Sequence, residues 1–472
     1  MAETVELLAA ADRLLAGRRA ESLDALAAFL AIPSVSALSE HRADVRRAAE
    51  FVARRLRECG LEGVALLETG GHPCVYAEWL HAPGRPTALV YGHYDVQPAD
   101  PVALWTSPPF AATVRGGRLY ARGAADDKGQ VWMHLLAAEA LLRAGNGRLP
   151  LNLKFIIEGE EEIGSLHLPP LVERERERLA ADVVVISDSA FHAPGQPAIA
   201  HGLRGLAGME VSVRGPARDL HSGEYGGSVQ NPAHALAQLL AGLHTPDGRV
   251  AVPGFYDDVL PPTAEERSAV AALPFDEAEF RRETGVPEAF GEPGYTAAER
   301  CRIRPTLEIN GLWGGFQGEG SKTIIPAEAH AKITCRLVPD QDPRRVLEAV
   351  RADLVRRRPP GVRLDVRLGG GSRASLAPAD SPYMRAAARA LERVFGRAPV
   401  FTRMGGSIGI VPAFEAVLGA PVVLMGFSLP DDRIHAPDES LDLGNYDHGQ
   451  RAIAAYWLEL GAMAPSGPAA PA

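Results

Sequence analysis

Four short apolar runs constrain this chain most: TALVYG (87–92), LNLKFII (151–157), DVVVIS (182–187) and PVVLMGF (421–427). They are rich in Val, Ile and Leu and are the length of core strands, as a sheet covered on both faces requires. Between the first two lies GQVWMHLLAAEALLRAG (129–145), apolar at helical spacing with a glycine at its end. Strands alternating with such helices predict an α/β domain, a mostly parallel sheet sandwiched by helices.

The middle of the chain follows another pattern. RGLAGMEVSVRG (204–215), TLEINGLWGG (306–315), AHAKITCRLVP (329–339) and VRLDVRLGG (362–370) alternate apolar and polar residues, as half-exposed antiparallel strands do. Helical stretches near 231–243 and 343–357 fall between them, and 380–395 returns to helix. At 472 residues the chain exceeds one ordinary core. The division expected is a first domain over 1–205 and 373–472, with an α+β domain on an antiparallel sheet inserted at 206–372.

A net charge of −10 argues against a nucleic-acid partner, which would need a basic face. No apolar run approaches the ~20 residues of a membrane span. The N-terminus carries Glu3 and Glu6 where a secretory leader would be basic, and it reads as an amphipathic helix. Cys59, Cys74, Cys301 and Cys335 show no paired spacing; buried free thiols and a cytoplasmic location are expected. The Ala/Pro-rich tail GAMAPSGPAAPA reads as disordered.

Each core run is followed by potential metal ligands: His93, the cluster Glu158, Glu160, Glu161 and Glu162, then Asp188, then His435. In open α/β sheets, ligands bind beyond the carboxyl ends of the strands. One His or Asp there is usually a cap or a solvated loop residue, but four such positions together form a metal-site inventory. In GHYDV, residues two apart face the same way, so Asp95 is placed to orient the ring of His93. Asp126 and Asp127, in ARGAADDKGQ before the helix, fit either N-capping or a bridge between cations. His134 and His330 read as packed or surface residues.

YGHYDVQPAD, YARGAADDKGQ, EGEEEIGS, VISDSA, DLHSGEYGG, KTIIPAEAHAKITCRLVP, GGSI and IHAPDE occur in this order over almost the whole chain. Together they resemble the dinuclear zinc peptidase family of carnosine-type dipeptidases, glutamate carboxypeptidases, acetylornithine deacetylase and aminoacylase. HYDVQPAD with DDKG looks most like the dipeptidase branch.

The resemblance implies His93 and Asp188 on one metal, Glu162 and His435 on the other, and Asp126 bridging both. It implies Glu161 as general base and Asp95 as the clamp on the ligand histidine, with the Asp126–Asp127 peptide bond cis. The cofactors implied are two divalent ions, zinc first, with manganese or cobalt as alternatives. Two Zn²⁺ carry four positive charges, which Asp126, Asp188, Glu162 and a bridging hydroxide would balance.

In the inserted domain, a lid and dimerisation domain in this family, the resemblance implies three substrate contacts, and Ser407 beyond it is a fourth. His221 would reach a partner subunit's site, Arg336 would hold the substrate's terminal carboxylate, and Thr323 and Ser407 would contact substrate. The loop reads GGSIGIV, with Gly409 where close dipeptidases tend to have proline. An arginine in the apolar strand ITCRLVP needs an anion, supplied by substrate or by an internal salt bridge.

The activity expected is amide hydrolysis of dipeptides or small peptides with a free C-terminus. The alternatives are an N-acyl-amino-acid deacylase or glutamate-type carboxypeptidase on the same site, or a non-catalytic binding protein that kept the fold. The partners expected are a small peptide and a second copy of the chain, with neither nucleic acid nor membrane.

Overall fold

The four apolar runs become adjacent strands, in the spatial order Asn152–Glu158, Thr87–His93, Val183–Ile186 and Val422–Leu424, and every pairing among them is parallel. This is seen in a computed structural model that describes residues 2–273 and 275–464. Most of the Ala/Pro-rich tail, from residue 465 onward, lies outside the described residues. The chain divides into two units: residues up to His201 with Ala377–Thr402 and everything from Ile410 onward, and Gly202–Leu376 with Arg403–Gly409.

In the first unit, antiparallel strands extend both edges of the parallel centre. Cys74–Trp79 and then Glu62–Leu67 lie beyond Asn152–Glu158, and Ala198–Leu203 lies beyond Val422–Leu424. The sheet is therefore mixed. Its parallel part is where helix-bearing crossovers join the strands, since parallel neighbours need such long connections.

Successive side chains on Thr87–His93 point to opposite faces. Ala88 and Val90 join the main core with Trp132 and Leu135 of the helix Lys128–Ala144. The Tyr91 ring meets Phe414 edge-on at 5.4 Å, on the helix Val411–Leu418. The helices Ala2–Gly17, Arg19–Leu30 and Leu443–Gly461 also pack on Lys128–Ala144, which explains why that helix is buried along nearly its whole length.

The second unit is built on an antiparallel sheet in the order Thr306–Gly314, Glu328–Leu337, Gly205–Arg214, Arg363–Ser372. Ala207, Met209, Val211 and Val213 alternate inward from its central strand and meet Leu236 and Leu239 of Pro232–Ala241 and Leu347 and Val350 of Pro343–Arg357. A short ribbon pairs Leu220–His221 with Ile324–Ile325. Three further helices, Ala264–Ala272, Glu277–Thr284 and Ala297–Ile303, fill a stretch in which sequence periodicity marks no element.

All four cysteines are free, as expected. Cys301 corrects the expectation of burial: it is exposed, because its helix turns Ala297, Ala298 and Ile303 inward instead. Among the described residues, no helix is long and apolar enough to cross a membrane.

Candidate metal centre

Parallel register sets His93 directly opposite Glu158, so the strands that lead to His93 and to the acidic cluster end at the same level. After Glu158 the chain turns tightly. A side chain at Gly159 would run into the Tyr94 ring, and Gly164 ends the short turn Glu161–Ile163 with a left-handed φ of 92°. That turn delivers Glu161 and Glu162 beside His93. Val183–Ile186 delivers Asp188, and the loop after Val422–Leu424 delivers His435.

Asp126 lies between the two histidines. Its Oδ1 is 3.0 Å from His93 Nε2 and its Oδ2 is 2.9 Å from His435 Nε2, which is in turn 3.2 Å from Glu162 Oε2. Potential ligand atoms of His93, Asp126 and Asp188 lie within 4.8 Å of one another, and so do those of Asp126, Glu162 and His435. Two three-residue donor sets thus share one carboxylate, the arrangement of a bridged metal pair. The Asp126–Asp127 peptide bond is cis.

Two observations show that these residues fit divalent cations. His93 Nε2 is fully buried and makes no aligned hydrogen bond, despite its closeness to Asp126. The charges around the two donor sets are also unbalanced, with the carboxyls of Asp126, Glu162 and Asp188 in them, and those of Asp127 and Glu161 beside them, against two imidazoles. Burial pushes the Asp188 carboxyl up to about 7 and holds Glu161 and Asp127 well above the ordinary range. His435 is drawn up to about 10 by Asp126 and Glu162. Burial opposes charge on Asp126, yet the two converging imidazoles hold its carboxyl below the usual range. Cations supply what this cluster lacks.

The remaining acidic residues have distinct partners. Glu158 is buried, accepts from the Tyr91 hydroxyl at 2.6 Å and the Ser165 hydroxyl at 2.8 Å, and is pushed up to about 7 by burial. Glu160 accepts the His72 backbone N–H at 2.9 Å and pairs with His167 Nδ1 at 2.7 Å. Both anchor the turn. Asp127 makes no capping bond to its helix; its Oδ2 accepts the His93 backbone N–H at 3.2 Å.

Asp95 lies beside the His93 ring, as its spacing predicts, and it has further partners. His93 Nδ1 is 3.1 Å from the Asp95 backbone carbonyl and 3.4 Å from its carboxylate. The carboxylate also accepts the backbone N–H groups of Glu161 and Glu162, at 3.3 and 3.1 Å, and the Ser36 hydroxyl at 2.6 Å.

The other four candidates lie in the second unit. His221 is exposed and its Nδ1 accepts the Gly223 N–H at 3.0 Å. The Thr323 carbonyl accepts the Ser222 N–H at 3.0 Å, which holds His221 and Thr323 on one ribbon. Arg336 Nη1 donates to Ser407 Oγ at 2.8 Å. Among the described residues, no carboxylate pairs with Arg336, so the internal salt bridge does not form.

Residues 89–459 match peptidase family M20/M25/M40. The chain belongs to this family.

Its relatives are on the dipeptidase branch. The Beta-Ala-His dipeptidase of Homo sapiens is 36% identical over 395 residues, 82% of this chain and 77% of that protein. The Cys-Gly metallodipeptidase dug1 of Schizosaccharomyces pombe is 32% identical over 466 residues, 95% and 97% of the two chains. Among solved structures, human carnosine dipeptidase 1 superposes with a TM-score of 0.85 at 32% identity, covering 97% of this chain and 99% of that one. The M20 metallo-carboxypeptidase Sso-CP2 of Sulfolobus solfataricus gives 0.86 at 32%, covering 94% and 100%.

Two residues of this M20 peptidase that bear on the site escaped the sequence reading. Gln97 Nε2 donates to Glu162 Oε2 at 2.8 Å and so helps to orient a candidate ligand carboxylate. Its place two residues after Asp95, and four after His93, was the available signal. Glu439 is fully buried against the loop that carries Asp126, and only its spacing of four from His435 hinted at it.

Proposed function

We propose that this M20 peptidase hydrolyses dipeptides or small peptides with a free C-terminal carboxylate. The observation that carries the reading is the pair of donor sets sharing Asp126. His93, Asp188 and Asp126 would hold one divalent ion, and Glu162, His435 and Asp126 the other. Zinc is the proposed metal, since the donors are imidazole nitrogens and carboxylate oxygens. When bound, the ions supply Lewis acidity that polarises the scissile carbonyl and acidifies a water molecule.

The chain's own residues do the rest. Glu161 has no ligand role in this assignment, so its carboxylate is available to accept a proton from the attacking water. It then passes that proton to the leaving amine, so that peptide and water become acid and amine with no net proton change. Asp95 holds Glu161 and Glu162 in register through their backbone N–H groups. Arg336, half-buried and without an internal carboxylate, would take the peptide's terminal carboxylate as a charge-assisted pair. Ser407 keeps its guanidinium oriented, and Thr323 supports the ribbon that carries His221.

The second unit is proposed to pair with a second copy of the chain, with His221 serving the partner's site as an oxyanion donor. A cytoplasmic setting fits the unpaired cysteines. The likeness to a metallo-carboxypeptidase supports one second reading, removal of a C-terminal residue from longer substrates.

The test is a panel of dipeptides, longer peptides and N-acetyl amino acids, assayed before and after chelation. Dipeptide turnover that disappears with the metal supports the proposal. Full turnover by metal-free protein would sink it, and exclusive turnover of N-acetyl amino acids would move it to the deacylase reading.

A further inference from the structure

We propose that Glu439 is a positioning residue for the metal pair, fixing the loop that presents Asp126 relative to the loop that presents His435. The inference rests on reading Asp126 and His435 as ligands. Glu439 is completely buried, and its carboxylate is saturated by four donors. Oε1 accepts the backbone N–H of Ala125 at 2.9 Å and of Asp126 at 3.2 Å. Oε2 accepts the N–H of Gly123 at 3.0 Å and Arg122 Nη1 at 2.7 Å. Three of the four donors are main-chain groups of the ligand loop itself.

That distribution separates the proposal from a plain buried ion pair. A structural Arg–Glu pair would spend its bonds on side chains, whereas Glu439 spends most of them on the backbone just before Asp126. The loop 121–127 belongs to no helix or strand, and it turns these N–H groups toward one point. Without an acceptor there they would be buried and unpaired, each a costly defect.

The other end of the brace is His435, four residues earlier. Its segment is pinned at neighbouring points as well. Asp438 accepts the Thr106 N–H at 2.9 Å, and Ser440–Asp442 pairs in register with Arg118–Tyr120. Three non-glycine residues of this segment, Arg433, His435 and Asp438, have left-handed φ of 56°, 62° and 61°. Such backbone is held by its surroundings rather than by local preference. His435 is also the most exposed of the ligands, so little packing fixes it directly. Glu439 therefore links the shared candidate ligand to the least supported one, and the placing of both donor sets would depend on it.

The experiment is cobalt(II) titration of the metal-free full-length chain against a chromophoric chelator, with the visible cobalt spectrum recorded alongside. Wild type is expected to take two ions per chain. Glu439→Gln keeps the shape but turns an amide N–H₂ toward the loop's own donors. It is expected to weaken both ions 10- to 100-fold and to alter the cobalt spectrum, because Asp126 is shared. KM is expected to change less than kcat.

Glu439→Gln leaves the buried Arg122 charge without its carboxylate and risks misfolding, so the double variant Arg122→Met/Glu439→Gln is measured beside it. That variant is expected to fold, by circular dichroism, and still to bind both ions weakly. Wild-type affinity and spectrum in a folded Glu439→Gln variant would overturn the inference. Loss of fold in both variants would also overturn it, since Glu439 would then serve the whole unit rather than the loop. A wild type that takes up no ion would overturn the ligand assignment itself.

Discussion

Asp95 Oδ2 accepts the Glu162 backbone N–H at 3.1 Å, and through that bond the strand-end motif GHYDV holds the turn that carries the acidic cluster. The neighbouring bond, from the Glu161 N–H to Oδ1 at 3.3 Å, makes the clamp two-pronged. Asp95→Ala leaves both N–H groups and the Ser36 hydroxyl without their acceptor in a fully buried site. We expect kcat to fall roughly 10- to 100-fold, with weaker metal binding. Asp95→Asn, which keeps one acceptor oxygen, is expected to fall between. Steady-state kinetics with metal titration of both variants checks this.

Glu161→Gln is expected to separate proton transfer from metal binding. Its side chain stands outside both donor sets, so two ions should remain bound while kcat falls roughly 10²- to 10⁴-fold. Metal content per chain and kcat, measured on one preparation, decide it. A variant that loses its metal along with activity would make Glu161 a ligand instead.

Chelation is expected to lower stability as well as abolish turnover. The buried carboxyls of Asp126, Asp127 and Asp188 repel one another unless cations balance them. A ligand bound only by the native state stabilises it by about 2.7 kcal/mol at a hundredfold excess over its Kd. Melting curves with and without chelator should therefore separate by several degrees, and returning the metal should restore the higher midpoint.

His134 gives a pH dependence of stability whose sign can be worked out. It is buried, its Nε2 lies 2.8 Å from Ser187 Oγ, and burial pushes its pKa down to about 3. The Ser187 hydroxyl is committed to the Met425 carbonyl, so Nε2 is the protonated nitrogen and a second proton would sit on Nδ1, which has no acceptor. The fold therefore favours the neutral ring, while the unfolded chain protonates near 6.5. Stability from this residue is complete above about pH 6.5 and is lost as pH falls from there toward 3, by up to about 1.4 kcal/mol per unit. In chelated protein, His134→Gln should flatten the fall in melting midpoint between pH 6 and 4. An unchanged slope would show that other groups carry it.

Much of the candidate site was legible because its candidate ligands follow strands, and the apolar runs that mark those strands are local patterns. Direction is not local: nothing in Cys74–Trp79 or Ala198–Leu203 says that they run against the parallel centre. Nor is partnership. Spacing placed Asp95 beside His93, but could not show that its carboxylate goes to Glu161 and Glu162, 66 and 67 residues on. Glu439 was hidden by the same distance, since its partners in the ligand loop lie more than 300 residues earlier. The helices Ala264–Ala272 and Ala297–Ile303 lack a long apolar stripe, yet Thr263 with Glu266 and Thr296 with Glu299 are capping boxes readable in the sequence.

Arg336 tests substrate recognition apart from chemistry. Its neighbours Cys335 and Leu337 are buried, and among the described residues its guanidinium has only the Ser407 hydroxyl as a side-chain hydrogen-bond partner. Burial alone holds its pKa below the ordinary arginine value, which is what a desolvated cation without an anion shows. A terminal carboxylate would satisfy it, and a charged hydrogen bond of that kind contributes about 1.5–3 kcal/mol. Arg336→Met should therefore raise KM for a dipeptide with a free C-terminus by roughly one to two powers of ten, with kcat less affected. A C-terminally amidated peptide is expected to turn over poorly in wild type, and the same substitution should hardly change that turnover, because the substrate has no charge to lose. Equal losses on both substrates would assign Arg336 to the integrity of its strand and leave carboxylate recognition to another residue.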